Sequence, residues 1–172
     1  KAADFIRFCD AFSIPVLSLV SATGFDTTVA NEKSVAREAA RLIHTFADAS
    51  APKVTLLTGE AYGSAYLTMN SGHIGADLVY AWPTASVGMM PAENAVKIIY
   101  NDEIDASDDA QGLIAEKAAA YAALQTSPES AAGRGYVDAV IEPESTRQHL
   151  IAAFEMLYSK RAVRPSKKHS TL

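Results

Sequence analysis

The sequence predicts an α/β fold with a mostly parallel sheet. Short apolar, β-branched runs alternate along the chain with segments whose apolar residues recur at helical spacing. The run "PVLSLV" is apolar at all but Ser18, and "KVTLLT" centres on Val54, Leu56 and Leu57, the pattern of short buried strands. The chain, 172 residues long, has room for one substantial core, and no linker or internal repeat divides it.

The elements follow in order. Phe5, Phe8, Cys9 and Phe12 have the spacing of an apolar face on an opening helix. Residues 15–20 form a first buried strand, followed by the loop "SATGFDTTVANEK". Val35, Ala39, Leu42, Ile43 and Phe46 mark one face of a second helix, with Asn31 placed to cap its start. Residues 53–58 form a second buried strand, which leads into "TGEAYGSAYLTMNSG"; a turn through Gly59 and Gly63 there opens a helix near Ser64.

Residues 76–82 and 86–90 read as two short strands joined through Pro83, and "PAENAVKIIY" begins a helix with proline in its first turn. The acidic "NDEIDASDDAQ" reads as a solvated loop, in which Ser107 or Asp108 caps an Ala-rich helix running to about Leu124. A short helix and strand in "SPESAAGRGYVDAVI" come next. Pro143 and Glu144 then open a final helix whose inner face is Leu150, Ile151, Phe154 and Leu157. The predicted domain spans residues 1–159, and residues 160–172 form an extended tail with five basic and no acidic residues.

A formal net charge of −5 disfavours a general binder of nucleic acid or membrane, so a small metabolite or a protein is the expected partner. The single cysteine, Cys9, cannot form an internal disulfide. Its phenylalanine neighbours predict a buried thiol in a reducing compartment rather than a nucleophile, since no basic neighbour lowers its pKa. With no apolar stretch of about 20 residues and no signal-peptide pattern, the expectation is a soluble, cytoplasmic protein. Because Lys1 runs straight into a helical pattern, the chain is expected to be a piece of a longer polypeptide.

Conventional catalytic constellations are hard to assemble. His44, His73, His149 and His169 are scattered without zinc-site spacing, so no metal is expected. There is no Walker-type loop and no Gly-x-Gly-x-x-Gly, and "GSAY" lacks a nucleophile elbow's last glycine, where Tyr66 stands. What remains is main chain. A helix opening near Ser64 leaves its first amides without intrahelical partners, and such N–H groups can hold a developing negative oxygen. The other reading of the small residues Gly63, Ser64 and Ala65 is tight packing of the helix on its sheet.

The segments "ADFIRFCDAFSIPVLSLV", "AYGSAYLTMNSGHIGADLVYAWPTASVGMM" and "GRGYVDAVIEPESTRQHLIAAFEML" resemble the C-terminal half of the carboxyltransferase subunit of biotin-dependent acyl-CoA carboxylases and decarboxylases. The propionyl-CoA carboxylase beta chain and the methylmalonyl-CoA decarboxylase alpha chain are members of that family. The resemblance implies a crotonase-like fold of repeated strand-strand-helix units. It implies that the N-terminal half holds the acyl-CoA, while this half receives carboxybiotin from a biotin carboxyl carrier protein. It also implies a homo-oligomer, usually a hexamer, in which the two halves meet between subunits.

Aligned on the family's "Y-G-G-A-Y", the amides of Ser64 and Ala65 take the role of an oxyanion hole for the ureido oxygen of the biotin enolate, with Gly63 making the turn. Gly24 and Phe25 of "SATGF" match a second wall of the pocket, and Tyr62 and Tyr66 pack around it. Leu67 matches the position that helps to choose the acyl chain, which implies a short-chain acyl-CoA substrate of the propionyl/methylmalonyl or acetyl/malonyl type. Ser64 stands where the family has glycine, Thr23 where it has proline, and "MMPAEN" replaces "M-G-P-E-G". These departures imply a divergent branch, such as a decarboxylase subunit with a membrane partner. The alternatives are an enoyl-CoA hydratase or isomerase, with Glu60 as its carboxylate, and a non-catalytic assembly module.

Overall fold

The structure, a computed structural model, describes residues 1–26 and 28–162. Helix α1 (Ala2–Ala11) buries Ala3, Ile6 and Cys9. The phenylalanines expected inside are instead exposed by 62%, 56% and 66% at Phe5, Phe8 and Phe12. Two apolar stripes share this helix, and the narrower one, spaced by three residues, packs in a cluster with Val16, Phe46 and Ala49. Cys9 is buried there, as its neighbours predict.

Strand β1 (Val16–Ala22) leads to α2 (Val29–Asp48), which is capped by Thr28 rather than Asn31: Asn31 N donates to Thr28 Oγ1 at 3.4 Å. Strand β2 (Lys53–Tyr62) is longer than predicted, and α3 (Gly63–Thr68) follows it directly. Then come β3 (Leu78–Ala81), β4 (Ser86–Gly88) and α4 (Ala92–Ile99). The acidic stretch read as a loop holds a further short helix, α5 (Asn101–Asp105). Helix α6 (Ala110–Tyr121) is capped by Asp109, not Ser107 or Asp108, and ends in a π turn, Ala122–Thr126. Helix α7 (Pro128–Gly133), β5 (Ala139–Val140) and α8 (Thr146–Leu157) complete the described chain.

The sheet is wholly parallel, in the order β1-β2-β3-β5, with β4 paired to the far end of β2. Strand β2 therefore serves two neighbours in turn: Val54 to Leu57 face β3, and Glu60 to Tyr62 face β4. The predicted turn at Gly59 does not exist. Opposite Thr58 to Glu60 on β2, β1 supplies only Ser21, and a Cβ at Gly59 would stand 2.8 Å from Ser21 Oγ. Gly59 thus lets two strands approach at an irregularity instead of ending one.

Val54, Leu56, Leu57 and Ala61 of β2 are essentially inaccessible. Burial of each large side chain stabilises the fold by about 1.5 to 3 kcal/mol. Lys53 is also buried, and its Nζ donates to the Phe46 carbonyl. Asp77 accepts from Lys53 N at 2.7 Å and from Lys160 Nζ at 2.8 Å. Lys160, the first residue of the predicted tail, is thereby tied to the body, whereas residues 163–172 lie outside the described residues. Of the predicted inner face of α8, Leu150, Ile151 and Phe154 line an open groove; only Ala153 of this helix is fully buried.

Candidate functional site

Parallel strands end on one side of a sheet, and the loops leaving that side are where such folds collect ligands. Here β1, β2 and β4 finish together, with Ala22 across from Ala61 and Tyr62 across from Gly88. Three segments leave this point: the loop holding Gly24 and Phe25, helix α3, and the Met89–Met90 stretch. The structure thus brings the two candidate pocket segments to the same end of the sheet.

At the junction of β2 and α3, Gly63 has φ +58°, and a Cβ there would lie 3.1 Å from the Met89 carbonyl oxygen. The left-handed backbone favours glycine, and a side chain there would have to push the Met89 carbonyl aside by a few tenths of an ångström. Tyr62 forms the N-cap in extended conformation, and no side chain caps the helix. The N–H groups of Ser64 and Ala65, at the second and third helical positions, consequently have no intrahelical acceptor. Ser64 is exposed, Gly63 half-buried and Ala65 buried, so the turn lies at the surface and its helix runs inward. Helix α3 has only six residues. Its dipole is correspondingly small, and the two N–H groups themselves carry any anion-holding effect.

Around this turn, a Cβ at Gly24 would meet no heavy atom within 4 Å, and Phe25 is 37% exposed. Tyr62 and Tyr66 are buried, Tyr66 within the main core cluster and Leu67 packed against that cluster. The Tyr66 hydroxyl has no hydrogen-bond partner among the described residues. Burial, and then neighbouring Tyr136, push its pKa up to about 12. His73 lies beside both rings, 6.5 Å from Tyr66 and 4.8 Å from Tyr136 between centroids. Glu60 is exposed on β2 opposite Ser86, within the strand.

Nothing in the residue types marks Met89, whose carbonyl lies against Gly63, or Thr126, whose Cγ2 would lie 3.0 Å from a Cβ on Gly88. A glycine inside the strand run "SVGMM" is the signal for such a close approach. Among the described residues no three His, Cys, Asp or Glu side chains gather as metal ligands. His44, His73 and His149 lie on separate elements, and His169 lies outside the described residues. No helix among the described residues is long and apolar enough to cross a membrane.

Comparison with known proteins gives a consistent result. A family model described as the carboxyl transferase domain matches residues 1–172. The putative propionyl-CoA carboxylase beta chain of Bacillus subtilis is 47% identical over 173 residues, spanning 100% of this chain and 34% of the relative. The methylmalonyl-CoA decarboxylase subunit alpha of Propionigenium modestum is 43% identical over 173 residues, again 100% of this chain and 34% of the relative. A crystal structure of the transcarboxylase 12S hexamer with methylmalonyl-coenzyme A and methylmalonic acid superposes with a TM-score of 0.94 at 42% identity, covering 99% of this chain and 33% of that one. The expected crotonase-like fold is therefore the observed one. The chain spans about a third of the length of the relatives it matches.

Proposed function

The chain belongs to the carboxyl transferase domain family, and on that premise we propose that it is the biotin-facing half of a carboxyltransferase acting on short-chain acyl-CoA of the propionyl/methylmalonyl type. The observation that carries this reading is the β2–α3 junction. A glycine held at positive φ starts a helix with no side-chain cap, which leaves the Ser64 and Ala65 amides without intrahelical acceptors. The donor set fits a ureido oxygen, which needs hydrogen bonds and no ionisable partner.

Bound carboxybiotin would supply the carboxyl group, its ureido oxygen gaining negative charge as that group departs. The work of this chain is to hold donors toward that oxygen before the charge appears. Ser64 N–H and Ala65 N–H are positioned by the backbone, so no side-chain reorganisation is needed, and one such donor is worth about 3 to 4 kcal/mol. Gly63 fixes their direction, Met89 fixes Gly63, and Gly24 with Phe25 forms the opposite wall of the pocket. Tyr62 and Tyr66 hold the junction from beneath, and Leu67, on the same short helix, is assigned to acyl-chain choice.

In this reading a biotin carboxyl carrier protein delivers the cofactor. Acyl-CoA is held by the family's other half, across a subunit boundary in a homo-oligomer. A decarboxylase-type assembly would add a membrane subunit. A hydratase would instead need a carboxylate at the hole, and Glu60 is the residue available.

The test is to join this chain to the two-thirds of the Bacillus subtilis relative that it does not span. The joined protein is expected to move carboxyl groups between biotin and methylmalonyl-CoA, while this chain alone hydrates no crotonyl-CoA. Hydration by the chain alone would overturn the reading.

A further inference from the structure

Helix α3 has six residues, too few for a helix to be stable on its own internal hydrogen bonds. It is bracketed by two residues with left-handed backbone, Gly63 at φ +58° and Asn70 at φ +62°. Its direction is therefore set by what pins its two ends. At the near end Gly63 lies against the Met89 carbonyl.

The far end is pinned by buried side chains. Thr68 Oγ1 donates to Ala65 O at 2.7 Å and Ser71 Oγ to Leu67 O at 3.2 Å, so hydroxyls from the exit of the helix satisfy its last carbonyls. A further pair reaches another element: Thr55 Oγ1 donates to Asn70 O at 2.6 Å and accepts from Asn70 Nδ2 at 2.9 Å. A threonine hydroxyl has one proton, and here the Asn70 carbonyl takes it. The same oxygen must then accept from the Asn70 amide nitrogen, which fixes that side chain's orientation. Both residues are 0% exposed, and hydrogen bonds shielded from water are stronger for it. A glycine at position 70 would supply the left-handed backbone without the donor.

Thr55 lies on β2, the strand that runs directly into Gly63. Alternation puts it on the same face as Leu57, which packs in one cluster with Tyr66 of α3. The strand that launches the helix thus also holds its far end. We infer, on the reading of Ser64 and Ala65 as donors to the ureido oxygen, that Thr55 and Asn70 are positioning residues for carboxyl transfer: their reciprocal pair fixes the tilt of α3 and with it the aim of the two amides. A donor constellation works only when held to about 10–20°, and an unclamped α3 turns about Gly63. Fully buried, Thr55 acts through α3 and not on a ligand.

The test uses the joined, full-length protein with biotin and methylmalonyl-CoA. Thr55→Val, close to isosteric, should lower kcat at least tenfold and leave the KM for methylmalonyl-CoA within twofold. Amide exchange at residues 66–68 should quicken at least tenfold in the same variant. Thr55→Ser, which keeps the hydroxyl, should return both to within twofold of wild type, and Asp109→Ala, a destabilised control at the start of α6, should keep the wild-type kcat. Should Thr55→Val not fold, Asn70→Gly decides, with an expected fall in kcat of at least threefold at unchanged KM. Unchanged exchange at residues 66–68, a loss in Thr55→Val no greater than in Asp109→Ala, a Thr55→Ser as slow as Thr55→Val, or a wild-type kcat in Asn70→Gly would overturn the inference. Ala65→Pro, measured alongside, separates the two claims: if it is slow while Thr55→Val is not, the positioning role alone fails, and if it runs at the wild-type rate, both fail.

Discussion

Gly63 must keep φ +58° with the Met89 carbonyl oxygen 3.1 Å from the place of a Cβ. Gly63→Ala is therefore expected to lower unfolding stability by about 1 to 2 kcal/mol in urea titration, from the left-handed backbone alone. Carboxyl transfer should fall with it. Tyr66 makes the opposite case, since its buried hydroxyl has no partner among the described residues. Tyr66→Phe should leave stability unchanged or raise it by up to about 1 kcal/mol, because it removes a desolvated group at little packing cost. The raised pKa has a pH consequence. The folded state holds the Tyr66 proton up to about 12 while the unfolded chain loses it near 10, so stability is full below pH 10 and declines between those values. Denaturant melts across that range should lose about 2 to 3 kcal/mol in the wild type, and correspondingly less in Tyr66→Phe.

Helix caps and strand ends follow from local chemistry, and two can be checked singly. Asp109 Oδ1 accepts from Gly112 N at 2.9 Å at the start of α6, so Asp109→Ala should cost about 1 kcal/mol in equilibrium unfolding. Asp77 holds the first amide of β2 and the ammonium of Lys160, and Asp77→Ala should cost about 1 to 3 kcal/mol by orphaning that amide. At this scale the sequence was informative where periodicity and apolar runs decide. The strands at Val16 and Lys53, the helix through Phe46 and the helix opening at Gly63 all stand close to where the pattern placed them. It was less informative where long-range pairing decides. Gly59 reads locally as a turn, but the tertiary partner Ser21 makes it a point of strand contact. The α1 phenylalanines have helical spacing, which marks a face without saying whether α2 or solvent receives it.

For the whole molecule, the carboxyl ends of β1, β2 and β4 converge on a turn built from main chain, while Leu17 and Leu19 of β1 and Ile151 of α8 line an open groove. The motif around Gly63 was legible because glycine and uncapped helix starts have local signatures. Met89, which holds Gly63 in place, was not, because its role belongs to a carbonyl and a carbonyl has no residue type. In the proposed function, the Ser64 and Ala65 amides carry the chemistry. The most direct measurement is the carboxyl-transfer rate of the joined, full-length protein carrying Ala65→Pro, which deletes one donor N–H, beside Glu60→Gln, which deletes the carboxylate that precedes the junction on β2. A fall in kcat of about 100- to 1000-fold is expected for Ala65→Pro, in a protein that still assembles, and a wild-type rate for Glu60→Gln. A wild-type rate in Ala65→Pro, or a comparable loss in Glu60→Gln, would contradict that role for the amides.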